Sequence, residues 1–431
     1  MPRWTNWART VTATPGELLC PQDDEELATT LSRAASDGRR VKIPGSGHSW
    51  SEIAAPNDAW LTFQKMPRSV VVEGELVRVR GASTLGELCD TLEAQGRMLP
   101  NLGSVTAQTV IGATATGTHG TGATLPILSA GVVGMKLVTG AGERVSLGPD
   151  DPTLNDARVH LGALGVVTEL TLRTLPRQRL QERLINLPFD AVLERLDELV
   201  ASHRHLRLWW LPKVGCVQVY TADLTDAPDT GPNALTIHLD RIGVQQPIFT
   251  MLLAIGRLLP ALVPLIHRFA QATSFGDRAR VEDLRRVLSM PVPARHHEVE
   301  LAIPREATLD ALKEWWALLD RADYVPDFVQ ELRFVAADDI PLSPCSGRAS
   351  AYLGGYAANP STAARYLPEL LALGRAYAAR PHWGKVFDHD HAELATLYPR
   401  WANFQALRRR FDPAGVLSSP FTERVLGPVS S

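Results

Sequence analysis

Cysteine is scarce in this 431-residue chain, and its four occurrences, Cys20, Cys89, Cys216 and Cys345, lie far apart. None forms a CxxC pair, which argues against a zinc site or a disulfide framework; the four read as free thiols of a reducing cytosol. No metal site is expected. An excess of one charge is lacking too: the formal balance is -3. Nothing therefore concentrates positive charge to displace phosphate counterions, and no nucleic-acid partner is expected. The basic run Arg408-Arg409-Arg410 falls in an amphipathic segment, Phe404 to Phe411, and reads as a solvated helix face. Long apolar runs are missing as well. Met1 to Cys20 contains none and does not read as a signal peptide. Pro247 to Ala270 is rich in Leu and Ile, but Arg257, Pro260 and Pro264 interrupt it, whereas a spanning helix needs about 20 mostly apolar residues. Two buried or lid-like helices are expected there, with peripheral membrane contact the lesser alternative. The expectation is a cytoplasmic chain, with membrane association as that alternative.

What is present is an ordinary globular composition, 45% apolar and 21% charged. The length exceeds what one core holds, so two or more domains are expected. Asp23 to Asp37 reads as a helix with Leu27, Leu31 and Ala34 on one face, followed by a short buried strand at Arg40 to Pro44. Ser69 to Arg80 carries two β-rich runs around Glu73-Gly74-Glu75, a hairpin signal. Thr84 with Glu87 forms a capping box for a helix to Gln95. A second hairpin surrounds Thr139-Gly140-Ala141-Gly142, and Val166 to Leu172 runs as a strand into Pro176. From Arg177 the segments lengthen: a helix at Phe189 to Ser202, a strand at Leu206 to Leu211, then β-rich stretches at Phe328 to Ala336 and Ala351 to Tyr356. The expected fold class is α+β, divided as residues 1–176, 177–380 and 381–431, with the last piece returning to the first. No internal repeat or low-complexity tract is present.

Three glycine-rich stretches carry the chemistry. Pro44-Gly45-Ser46-Gly47-His48-Ser49 directly follows a strand; its glycines let amides approach a phosphate and its serines offer hydroxyls. It is not GxGxxG opening a helix, so a Rossmann site is not indicated, and taken alone it is equally a tight turn with an exposed imidazole. Gly103-Ser104 then leads to Thr109 and to Gly112, Thr116, Gly117, His119 and Gly120 within Ile111–Gly122. Twelve residues with almost no bulky side chain cannot build a core; they read as a strap lying flat against an extended ligand. Leu161-Gly162-Ala163-Leu164-Gly165-Val166-Val167 is another close-approach turn entering a strand.

In this order, the GxGHS, ATGTHGTG and LGALGVVT stretches resemble the FAD domain of the vanillyl-alcohol oxidase superfamily, the PCMH type. The likeness is closest to its sugar-1,4-lactone oxidase branch, the L-gulonolactone and D-arabinono-1,4-lactone oxidases. Further stretches are similar to that branch: Asn6-Trp7-Ala8, Leu208-Trp209-Trp210-Leu211-Pro212, Ile303-Pro304-Arg305-Glu306, Asp339 to Pro344, Arg380-Pro381-His382-Trp383-Gly384-Lys385 and Asp412-Pro413. The resemblance implies a two-part FAD-binding domain plus an α+β cap domain with an antiparallel sheet. It implies FAD joined through the 8α carbon to a ring nitrogen of His48. Residues 44–49 and 109–120 would cradle pyrophosphate and flavin, with Val166 and Val167 at the adenine end.

The reaction implied is oxidation of an alcohol on a sugar lactone, with a polyol as the alternative substrate. The site then needs polar groups around the hydroxyl in a dry, flat pocket. Glu331 and Arg333 fall on one face of a strand and Leu332 and Phe334 on the other. A bare E-x-R is an ordinary surface ion pair, but by resemblance Glu331 accepts from substrate hydroxyls and Arg333 donates to a substrate oxygen or the flavin. Lys385 is carried over as the cation near the oxidised carbon's oxygen, with His382 orienting its loop. Gly103 and Ser104 match the position beside the flavin's reactive edge, where a small residue leaves room for O2 and leans toward an oxidase producing H2O2. The runner-up passes electrons to a cytochrome or quinone, and a non-catalytic flavin carrier stands last. One departure is notable: related enzymes often have a polar side chain where this chain has Gly354 and Gly355, so the pocket is either larger or shaped by Tyr352 or Tyr356.

Overall fold

The computed structural model describes residues 3–232, 246–290 and 294–429. Two sheets organise it. The smaller is five-stranded and antiparallel, in the order Arg144–Leu147, Val132–Thr139, Gly165–Arg173, Leu76–Arg80, Ser69–Glu73. Beside it a three-stranded parallel sheet joins Glu17–Leu19, Ala59–Leu61 and Val41–Lys42. The helix Asp24–Ser36 buries Leu27, Leu31 and Ala34 against Val41, Leu61, Val138 and Val166 in a core that Val416 and Leu417 complete. The chain's last segment thus packs against its beginning. The Val41 amide donates to the Val416 carbonyl, and Asp412 accepts from the Val416 and Leu417 amides. Gly140, at the tip of the second hairpin, has to be glycine: a Cβ there would stand 2.1 Å from the Asp412 carboxylate.

The larger sheet has eight strands, in the order Arg278–Asp283, Arg179–Pro188, Cys216–Thr225, His205–Trp210, Gln330–Val335, Ser350–Ala357, His297–Pro304, Arg380–Pro381. Alternation divides its two faces. One carries Leu208, Trp210, Leu332, Leu353 and Leu301, covered by Thr308–Arg321 and Pro360–Ala376. Trp210 meets Trp315 edge-on at 4.6 Å, and Gly355 lies so close to Leu370 that a Cβ would stand 2.2 Å from it. The opposite face carries the polar groups described below.

Three expectations need correcting. The strap at 109–120 is partly helical: Val110–Ala115 is a helix capped by the Thr109 hydroxyl, with Val110 and Ala113 in the core. Most of its hydroxyls are spent locally, Thr114 on the Val110 carbonyl and Thr116 on the Gly112 carbonyl. Arg408 is no solvated side chain; it is 1% exposed and donates to the Gly427 carbonyl at 2.8 Å, tying down the C-terminal turn. The apolar segment does form the two helices expected, Gln246–Leu258 and Val263–Ser274, but they are only partly buried, through residues such as Val263 and His267. Ile248, Met251, Leu258, Leu259, Leu262, Leu265 and Phe269 are exposed. Among the described residues no helix is long and apolar enough to cross a membrane.

Candidate active site

The GxGHS loop leaves the parallel sheet with Gly45 and Ser46 open to solvent. It is braced from two sides. The Thr109 amide donates to the Ser46 hydroxyl at 3.2 Å, and Thr109 lies 2.5 Å from where a Cβ on Gly45 would stand. Gly47 takes φ +71, and its carbonyl accepts from the Trp7 amide at 2.7 Å. Asn6 donates to the Ser49 carbonyl, so the N-terminal Asn-Trp-Ala stretch is the loop's outer brace. Trp7 stacks on the His48 ring with centroids 5.7 Å apart.

This arrangement fits a tethered flavin nucleotide. His48 Nδ1 is buried and has no hydrogen-bond partner. Burial holds the ring's pKa below the usual imidazole range; the Ser46 backbone opposes that in part and the Lys385 charge adds to it. A neutral ring with a bare nitrogen is the species a covalent bond to carbon requires. The Asn101 Nδ2 and Thr118 hydroxyl, on the neighbouring stretch, are likewise buried without partners. A Cβ on Gly120 would stand 2.0 Å from Asn101 Oδ1, and one on Gly103 would stand 3.2 Å from both the His119 carbonyl and the Thr118 methyl. Gly112 closes under Thr109 and Gly117 takes φ +69. Val166 and Val167 sit apart from these groups in one respect: their side chains are in the core, 1% and 3% exposed, so only main chain is available there.

Across the polar face of the large sheet, register lines up Trp209, Glu331, Gly354 and Glu300 on successive strands. Glu331 is 4% exposed and accepts from Trp209 Nε1 at 2.7 Å, the Tyr356 hydroxyl at 2.8 Å and Arg333 at 2.8 Å. Burial alone would push this carboxyl up, but Arg333 and Arg207 hold it below its ordinary value. Arg333 also donates to the Ser104 hydroxyl at 2.8 Å, which joins the sheet to the Gly103-Ser104 stretch. Arg207, cross-strand from Arg333, is 2% exposed and lies between the Trp209 and Tyr220 rings. Gly354 leaves no extra room: the Tyr356 ring lies over it, with Cε2 3.1 Å from where a Cβ would stand. Tyr352 is used elsewhere, stacked on His119 at 3.8 Å with its hydroxyl beside Cys345.

Lys385 stands over the Trp50 ring at 4.2 Å, 2.5 Å from Glu298 and 3.8 Å from Glu300. Both carboxylates are buried. Burial would raise each pKa, but Lys385 together with His296 outweighs it at Glu298, and His119 with Lys385 holds Glu300 well below its ordinary value. His119 Nε2 is 3.0 Å from Glu300. Burial drives His382 down to about 3, so it is a neutral ring, and its Nδ1 accepts from the Gly384 amide. The structure therefore brings Glu331, Arg333, Ser104, Lys385 and His119 to one wall. Sequence reasoning missed Glu298, Glu300, Arg207 and the bond from Tyr356. A signal for the first two existed: His296, Glu298 and Glu300 alternate with Val299 and Leu301, a strand polar on one side.

Comparison with known proteins bears on both halves. A family model described as D-arabinono-1,4-lactone oxidase matches residues 170–425, and one described as FAD binding domain matches residues 15–148. L-gulono-1,4-lactone dehydrogenase of Mycobacterium tuberculosis is 34% identical, covering 99% of this chain and 100% of its own. L-gulonolactone oxidase of Bos taurus is 32% identical, covering 98% of each, and so is alditol oxidase of a Streptomyces species. The solved cholesterol oxidase from B. sterolicum superposes with a TM-score of 0.81 at 15% identity, covering 98% of this chain and 96% of that one, a likeness of fold. With the first model spanning more than half of its residues and several relatives above 30% identity along nearly its whole length, the chain belongs to the D-arabinono-1,4-lactone oxidase family.

Proposed function

We propose that this chain oxidises a CH–OH group of an aldono-1,4-lactone of the gulono, galactono or arabinono type, using FAD attached covalently through His48. The observation that carries this is the bare, buried Nδ1 of His48 beside a wall of carboxylate, guanidinium and ammonium groups. When bound, the flavin supplies the acceptor for the hydride leaving the carbinol carbon. The protein does the rest. Residues 44–49, with Thr109 to Gly120, hold the nucleotide. Glu331 orients a substrate hydroxyl through its remaining acceptor site, since an ionised carboxylate offers about four and three are filled. Arg333, fixed by Glu331 and Ser104, donates to a substrate oxygen. Lys385 places a fixed positive charge where negative charge grows on that oxygen, an effect strengthened by the buried surroundings. We assign O2 as the acceptor, with H2O2 as product, on the strength of the small Gly103; reduced protein that reoxidises slowly in air but fast with a quinone or cytochrome would reverse that assignment.

Acid precipitation of the purified protein tests the attachment. The pellet should be yellow, and colourless for His48→Ala. Yellow colour left wholly in the supernatant of the unaltered protein would refute the covalent bond.

A membrane surface is also proposed as a partner of the helical hairpin 246–274. Its seven exposed large apolar side chains are flanked by exposed Arg257 and Arg268, and no acidic residue occurs from 246 to 276. That composition suits an anionic lipid surface.

A further inference from the structure

We propose that Glu298, together with the Glu300–His119 pair, positions the Lys385 ammonium, so that the strand His297–Pro304 decides where this charge can act. The inference rests on the role proposed for Lys385 above.

Proton accounting separates the two carboxylates. His119 Nδ1 lies 2.8 Å from the Gly120 carbonyl, which can only accept, so this nitrogen carries a proton. Its Nε2 faces Glu300 Oε1 at 3.0 Å. A bare nitrogen against a bare carboxylate oxygen would repel, so a second proton lies between them. Glu300 is thereby committed to the cofactor-side loop, and its other oxygen, 3.8 Å from Nζ, is beyond hydrogen-bond length. Glu298 makes the direct contact at 2.5 Å. His296 Nε2 stands 3.6 Å from the same Glu298 oxygen. His382 offers no competing acceptor through Nδ1, which already takes the Gly384 amide. Across from the strand, Trp50 supplies a ring face, and His48 lies near enough for the Lys385 charge to help hold its ring neutral. Two buried carboxylates are thus balanced by one ammonium and one shared proton. The backbone is locked as well: the His382 amide donates to the Glu300 carbonyl and the Val386 amide to the Glu298 carbonyl, both at 2.9 Å. A long, flexible lysine is converted into a fixed charge, which removes reorganisation from the reaction step.

The ligand atoms of His119, Glu300 and His382 also lie within 4.8 Å of one another, a spacing open to a divalent cation. The nearby Lys385 ammonium argues for the shared proton instead.

The test uses the flavin-loaded protein and the substitutions Glu298→Gln, Glu298→Asp, Lys385→Ala and the Gln/Ala double. Glu298→Gln should slow flavin reduction at saturating lactone at least tenfold while changing substrate affinity less than threefold. Glu298→Asp should recover part of the rate, and Glu298→Gln should add nothing once Lys385 is Ala. A second readout is independent of turnover. The chain has six lysines, Lys42, Lys65, Lys136, Lys213, Lys313 and Lys385, so NMR of protein carrying 13C at lysine Cε resolves each, and Lys385→Ala assigns the one in question. In Glu298→Gln that signal should move, because the carboxylate in contact with the ammonium is gone. If Gln at 298 prevents folding, Glu298→Asp carries both readouts. An unmoved signal, or an equal rate loss with and without Lys385, overturns the proposal. So does a stoichiometric divalent metal that disappears in Glu300→Gln. Normal reduction in Lys385→Ala would instead sink the catalytic role of Lys385 itself.

Discussion

A substrate hydroxyl approaching Glu331 meets a carboxylate already accepting from Trp209, Tyr356 and Arg333. Tyr356 is the adjustable member of that set. Its ring occupies the space over Gly354, and its hydroxyl takes an acceptor site that a polyol could otherwise use. Tyr356→Phe should therefore shift discrimination between a lactone and an open-chain polyol by at least about fivefold in kcat/KM, the equivalent of about 1 kcal/mol for one altered hydrogen bond. Gly354→Ala reaches the same end by another route, because its methyl would stand 3.1–3.2 Å from the Tyr356 ring and hydroxyl and push them aside. The double variant should be no worse than either single one, and additive losses in a substrate panel would refute the coupling. At this scale the sequence shows residue types but not partners. Glu331 and Arg333 were legible from strand alternation and resemblance. The pairing of Glu300 was not, because its partner, His119, lies 181 positions away in the other half of the chain. Of the alternatives open at Gly354, a larger pocket or one shaped by Tyr352 or Tyr356, the choice of Tyr356 was not legible, since it depends on a rotamer reaching back along the strand.

Local propensity served well at the scale of elements. The Thr84 capping box, the Glu73-Gly74-Glu75 hairpin and the helix at Phe189–Ser202 form where their residues predict. The short helix at 110–115 is not legible locally because it is only six residues long and mixes Gly with the β-branched Val, Ile and Thr, and its stability comes from burial of Val110 and Ala113. The apolar pattern of 246–274 allowed buried or lid-like helices, and much of that surface faces outward, so burial is the alternative that fails. The hairpin is not detached from the site, since Phe249 meets Phe328 at 5.4 Å, and Phe328 in turn packs on Tyr356 and His296. Each large apolar side chain moved from water to lipid contributes about 1.5–3 kcal/mol. The protein should therefore sediment with phosphatidylglycerol vesicles at low salt and less with phosphatidylcholine vesicles. Leu258→Glu with Leu259→Glu should weaken that binding more than tenfold and leave lactone oxidation in solution intact. Equal sedimentation of the variant and the unaltered protein would rule out the hairpin as the contact.

The whole molecule is closed by its C-terminal segment, and Lys42 lies at that closure. Its side chain leaves the parallel sheet, is 3% exposed and reaches the Leu161 carbonyl at 3.4 Å. Burial, helped by the Arg408 charge and opposed in part by Asp412, lowers its pKa to about 8. Three stretches far apart in sequence therefore meet at one expensive charge, a convergence that no local pattern encodes. The consequence for stability has a definite sign. The folded value of about 8 lies below the 10.5 of the unfolded chain, so between these pH values the unfolded state binds more protons. Stability contributed by this group must then rise with pH across that window, by up to about 3 kcal/mol, with the full penalty present below pH 8. Replacing the ammonium with an apolar side chain of similar length should remove the penalty, because a buried charge without a close counter-ion is commonly worse than its hydrophobic isostere. Lys42→Met should accordingly melt higher than the unaltered protein at pH 7.5. The gap should shrink as both are taken to pH 9.5 in calorimetric or circular-dichroism melts. A gap that stays constant over that range would mean Lys42 is not the titrating group, and a lower melting temperature at pH 7.5 would mean that its bond to Leu161 outweighs its burial.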